Sequence, residues 1–245
     1  MVKEFIKLNK KFLSKLSLNI AGIFIVILII ILPILIPSSI ASNNKIKDYS
    51  KNKITDLKVP FTPQAPKGDW QDERQQDGCE EASALMAIRW IENKSLNTET
   101  ALKEILAISD FEQKKYGEYR DITLTDIIDH IFKGYFKYDK VSFKKNITTK
   151  DIINEIKLGH LVLSPMDGQK LNNPYFKAPG PERHMIVIRG YDETTKEFIT
   201  NDPGTKRGQA YRYKEDVLFK AIRVYKTGYH VPINKIEKNI IIVEK

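Results

Sequence analysis

Apolar and polar positions divide the chain into an apolar N-terminal run, a polar gap, a helix-patterned stretch and a strand-patterned end. Residues 20–36 are almost wholly apolar, broken by Gly22 and Pro33, and residues 42–56 are polar and lack periodicity, which predicts a linker. Residues 57–64 (LKVPFTPQ) read as a short extended piece at a sheet edge, because prolines cannot donate to an interior ladder. Ala82, Leu85, Met86 and Trp90 recur at helical spacing and predict a helix that begins at Cys79. A second helix is expected from Asn97 or Thr98 to Ile108, and a third from Thr123 to near Gly134. A fourth is capped by Thr149 and stopped by Gly159. Residues 160–166 form a buried strand, residues 172–183 a proline-rich loop, and HMIVIRGY and KEFITND two further strands. The C-terminal third mixes one short helix with more strands. Helices first and strands last predict an α+β fold, a helical half packed on an antiparallel sheet.

The N-terminal pattern sets the expected organisation. Residues 1–16 carry five lysines and one glutamate and read as a basic cytoplasmic segment. Residues 17–37 read as a transmembrane anchor, because seventeen apolar residues approach the length needed to cross a bilayer. Basic residues ahead of the span place everything after it outside. Ser39-Ile40-Ala41 resembles a cleavage site, so a removable signal peptide is the alternative, and the product would then be secreted. Residues 38–56 are the linker and residues 57–245 one domain, long enough for a single substantial core.

Charge adds little. The chain carries a formal +9, of which +4 lies in the first sixteen residues (five Lys minus one Glu). The rest is dispersed, with no basic stripe interleaved with aromatics, so nucleic acid is not an expected partner. No histidine or cysteine pair has metal-ligand spacing, and neither metal nor cofactor is expected.

Cys79 is the only cysteine among 245 residues. It can form no internal disulfide, and its place at a helix start favours the thiolate. The nucleophile reading competes with that of a small buried hydrophobe. His184 opens a strand, and folding residues 184–202 as a hairpin centred on Glu193 sets Arg189 opposite Glu197 and His184 opposite Asp202. Shifting by one residue would oppose like charges and mismatch faces. His184 and Asp202 then share a face, as an imidazole and its orienting carboxylate require. Asn201 points the other way unless a bulge exchanges the two. His130, His160 and His230 have no carboxylate at a defined cross-strand position.

Taken in order, VPFTPQ, DGCEEASALMA, TTKDIINEIKLGHLVLSPMDG, HMIVIRGYD and ITNDPG resemble the papain-fold cysteine peptidases, in particular those related to bacteriocin-processing peptidases. The resemblance spans Val59 to Gly204. It implies a papain-like fold with Cys79 as nucleophile, His184 as general base and then acid, and Asp202 as orienting group. It also implies an upstream glutamine amide that stabilises the oxyanion together with the Cys79 backbone N–H. Gln64 matches by context, and Gln76 is the second choice, with Gln75 beside it. The chain departs from the processing peptidases in having Gly78-Cys79-Glu80 where Asp-Cys-Gly is common.

The expected function is a membrane-anchored, extracytoplasmic cysteine peptidase acting on a peptide or protein. The alternatives are a cell-wall amidase or acyltransferase with the same triad, and a non-catalytic papain-like binding domain. Tyr175 and Phe176, in the loop before His184, are the expected substrate contacts.

Overall fold

The computed structural model describes residues 53–245. The segments expected at 1–16 and 17–37, and all but the end of the 38–56 linker, lie outside the described residues. The end of that linker is a strand: β1 (Ile54–Asp56) pairs antiparallel with the far end of β4 (His184–Asp192).

A short helix α1 (Glu73–Gln76) leads to α2 (Cys79–Ile91) and α3 (Thr98–Tyr116). The helical turn α4 (Leu124–Asp126) continues into α5 (Ile127–Tyr135), whose hydrogen bonds are of π type. β2 (Val141–Lys144) and α6 (Thr149–Lys157) follow, then β3 (Leu161–Met166), β4 and β5 (Glu197–Asn201). The chain closes with β6 (Tyr211–Lys214), α7 (Glu215–Ala221) and β7 (Ile240–Val243).

Helix ends follow local chemistry. Asn97 accepts the Thr100 N–H at 2.8 Å to start α3. This helix runs past Ile108 to Gly117, whose φ of +82° suits a residue without a Cβ. The α6 cap is Thr148 rather than Thr149, in a reciprocal capping box with Asp151. The expected third helix does open at Thr123, whose side chain accepts from the Asp126 N–H.

One antiparallel sheet runs β2-β7-β3-β4-β5-β6. Its central strands are apolar on both faces because both are covered. Leu161, Leu163, Met185, Val187, Ile241 and Val243 join the core under α2, α3 and α5. Val162, Ile186, Ile188, Ile240 and Ile242 join a second core with Ile152, Ile156, Phe198 and Leu218. Alternate side chains thus enter different cores, which is why β4 is buried at every position.

The hairpin register differs from the expected one. Val187 pairs with Asn201 and Ile188 with Thr200, and a bulge after Ile188 sets Gly190 against Ile199 and Asp192 against Glu197. The turn is longer than expected: Asp192 Oδ1 accepts from the Thr194 and Thr195 N–H groups, and Lys196 takes a left-handed conformation. The anticipated Arg189–Glu197 pair does not form. Arg189 bonds Asp56 of β1 at 2.8 Å, while Glu197 pairs with Arg212 and Lys214 of β6.

Candidate active site

His184 and Asp202 come together despite the register change, because the shift near the strand end is by two residues and preserves the face. His184 Nε2 lies 2.7 Å from Asp202 Oδ1, and both side chains are almost fully buried. Oδ1 also accepts from the Gly204 N–H at 3.0 Å. Oδ2 accepts from Tyr213 O–H at 2.6 Å and the Asn173 amide at 3.3 Å. Burial alone would push the Asp202 carboxyl up, but His184 and these donors hold it below its ordinary value. With Nε2 committed to Asp202, ring nitrogen Nδ1 is left to meet a nucleophile. Phe176 packs edge-on against the His184 ring at 5.4 Å between centroids.

Asn201 takes no part in that pairing. Its amide donates to the Val59 and Pro60 carbonyls, and its oxygen accepts from Arg189 and the Ala210 N–H. It ties the extended entry segment to the sheet.

The loop after Asp202 is held by close packing. The Asp202 N–H donates to the Gly208 carbonyl at 3.0 Å, and a Cβ on Gly208 would sit 1.8 Å from the Asp202 carbonyl oxygen. Gly208→Ala is therefore expected to cost about 1–3 kcal/mol, a fall of roughly 2–10 °C in Tm, with lower activity as Asp202 is displaced. Thermal melting checks it, and an unchanged melt would show that the loop relaxes freely.

Cys79 is the first residue of α2, with Gly78 before it. Its sulfur is buried and donates to Glu80 Oε2 at 2.9 Å. The helix start favours a thiolate, but other effects win here. Burial, then the Glu80 and Glu81 carboxyls, push the thiol well above its ordinary value.

A cleft of about 1170 Å³ collects Gln64, Gln76, Cys79, Tyr175, Phe176 and His184. Gln64 is buried, and its backbone N–H donates to Pro203, which ties it to the Asp202 loop. Its amide nitrogen reaches the Gln75 and Gln76 carbonyls at 3.1 and 2.6 Å. Gln75 and Gln76 thus contribute carbonyls to that contact, and Gln75 is buried. Tyr175 is exposed at the rim under the Arg207 guanidinium.

A family model described as the Peptidase_C39 like family matches residues 56–231, which takes in all these positions. The chain belongs to the Peptidase_C39 like family. It is a cysteine peptidase of papain-like α+β fold, its helical half packed on an antiparallel sheet. A crystal structure from Bacillus anthracis, assigned as a C39-like peptidase, aligns with a TM-score of 0.48 at 14% identity. The alignment covers 78% of this chain and 98% of that one. No curated protein matches the sequence.

Several residues of this C39-like site were not singled out by sequence pattern. Tyr213 and Asn173 hold Asp202 from β6 and from the loop after β3. Glu80 contacts the sulfur, and Tyr225 bonds Glu80. Glu80 had a local signal, since carboxylates directly after a nucleophile at a helix start must lie near it. The others arrive from distant segments and had none. Among the described residues, no helix is long and apolar enough to cross a membrane.

Proposed function

We propose that this C39-like peptidase cleaves a peptide or amide bond through Cys79, His184 and Asp202, on the outer side of a membrane to which residues 17–37 tether it. The observation that carries the reading is the buried His184–Asp202 hydrogen bond of 2.7 Å at a cleft that Cys79 also lines. Asp202 fixes the tautomer and orientation of His184. His184 Nδ1 takes the thiol proton as sulfur attacks the carbonyl carbon, forming a C–S bond and a tetrahedral oxyanion. The Cys79 backbone N–H, at an unpaired helix start, and the Gln64 amide are the oxyanion donors. The carbonyls that Gln64 touches are consecutive, so one N–H can serve both in a bifurcated bond and leave the second for the oxyanion. His184 returns its proton to the leaving amine as the C–N bond breaks, and water then releases the acyl group from sulfur. Tyr175 and Phe176 form the substrate-side rim.

The test is covalent labelling with a thiol-reactive peptide probe. Labelling is expected in wild type and lost in both Cys79→Ala and His184→Ala. Labelling that ignores His184→Ala would remove the base from the reading, and absence of labelling and turnover in wild type would favour a binding domain. The tether is tested by fractionating the full chain and probing protease access to the domain from outside the cell.

A further inference from the structure

Glu80 is a buried acid in direct contact with the nucleophile, and the chemistry above leaves it unused. It is 1% exposed. Oε2 contacts Cys79 Sγ at 2.9 Å, and Oε1 accepts from Tyr225 O–H at 2.7 Å. Tyr225 is itself buried and reaches the His184 carbonyl at 3.5 Å, so one hydroxyl links this carboxyl to the strand that carries the base. No lysine, arginine or histidine among the described residues forms an ion pair with Glu80.

The groups that act on Glu80 are nearly all acidic or neutral. α2 itself supplies Cys79 and Glu81, α3 supplies Glu112, and the segment before α4 supplies Asp121. The C-terminal segment supplies Tyr225, whose hydroxyl also reaches the His184 carbonyl of β4. Arg183, just before β4, lies 3.6 Å from Asp121 and offsets part of that neighbour's charge. A buried carboxyl in such company is driven toward its neutral form. Burial foremost pushes Glu80 up to about 7, while the bonds from Cys79 and Tyr225 pull the other way.

The sulfur–oxygen contact can carry a hydrogen in either direction. With Glu80 ionised, the thiol donates to the carboxylate, and a thiolate beside that charge is penalised. With Glu80 neutral, its O–H donates to sulfur and favours the thiolate.

Building on the Cys79–His184 reading, we propose that Glu80 is a further catalytic residue, which as a neutral acid donates a hydrogen bond to the Cys79 thiolate. When His184 Nδ1 takes the thiol proton, the S–H bond breaks and the N–H bond forms. The Glu80 O–H stays intact and supports the sulfur anion in place of a second charge. As the C–S bond to substrate forms, that hydrogen bond slackens and Glu80 keeps its proton. Loss of the Glu80 proton at higher pH turns the contact against the thiolate, so reactivity falls.

The pH dependence of Cys79 alkylation by iodoacetamide tests this without a known substrate, since Cys79 is the sole cysteine. Glu80→Gln cannot ionise. Tyr225 O–H donates to its amide oxygen and turns the NH₂ toward sulfur, so the donor is kept. Both proteins are expected to alkylate at similar rates near pH 6, and the variant roughly tenfold faster than wild type at pH 9. Superimposable profiles would overturn the proposal, and so would a folded Glu80→Gln slow at every pH, which would make the ionised carboxylate the active form. If Glu80→Gln does not fold, infrared difference spectra of wild type supply the answer. A protonated-carboxyl band that shifts on alkylation of Cys79 is expected, and its absence counts against the idea. Failure of the underlying reading is separate, since it appears as His184→Ala alkylating like wild type.

Discussion

Replacing Cys79 or His184 by alanine is expected to lower peptide hydrolysis by about 10⁴- to 10⁶-fold, and replacing both by no more than the larger single loss. The non-additivity is the informative part. A buried thiol pushed upward by its surroundings forms no useful thiolate until a base takes its proton. The base, in turn, has nothing to activate without the sulfur. Either deletion therefore ends the same step, and what survives is rate enhancement from binding and oxyanion donors. Steady-state hydrolysis by the four proteins gives the cycle, and thermal melts confirm folding. Losses that multiplied in the double variant would mean that the two residues serve different steps.

Asp202→Ala is expected to reduce kcat by about 10⁴-fold and, unlike the nucleophile change, to destabilise the fold. Removing the carboxylate strands the His184 ring N–H, the Tyr213 hydroxyl, the Asn173 amide and the Gly204 N–H in a buried site. Each unmet buried donor costs about 1–3 kcal/mol, less than additively because the groups share one space. Tyr213→Phe removes one donor to Asp202 and the acceptor that the Asn173 amide meets at 2.7 Å, and should cost about 1–3 kcal/mol with most activity kept. Equal effects of the two changes on turnover would deny Asp202 its orienting role. The pH dependence has a definite sign. A carboxyl held below its ordinary value of 3.8 adds stability that is complete above the unfolded value and is lost as pH falls through the folded one. Wild type should thus lose stability toward acid more steeply than Asp202→Ala, as melts from pH 7 downward will show.

How far the site was legible depended on how local its determinants are. Helix α2 could be placed from Gly78 and the spacing of Ala82, Leu85, Met86 and Trp90, because one face of one segment carries that signal. On the His184 side of the bulge the paired faces of β4 and β5 were legible because period-2 alternation survives a two-residue slip, whereas on the turn side the slip is three residues and the parity changes. The register itself was not legible. Arg189 and Glu197 each found a partner on another strand, and the Asp192 turn absorbed extra residues. A pairing energy of under 1 kcal/mol between two side chains cannot hold a register against a turn and two neighbouring strands. Strand β2 was missed for a related reason: it is a short edge strand whose order depends on β7, about a hundred residues later.

By itself, then, the sequence marked Cys79 as the candidate nucleophile, faced β4 with β5, and placed most helices ahead of the central strands. These follow from residue type and from periods of 3.6 and 2, which are properties of neighbouring positions. Only the tertiary structure decided the electrostatic state of the site. It surrounded Asp202 with donors from three separate segments, so that carboxylate is held ionised. It set Glu80 against the sulfur and Tyr225 against Glu80 in a buried, acidic setting, which pushes the thiol upward although a helix start would favour the thiolate. Burial and the convergence of distant polar groups set those charges, and neither is written in the spacing of residues along a chain.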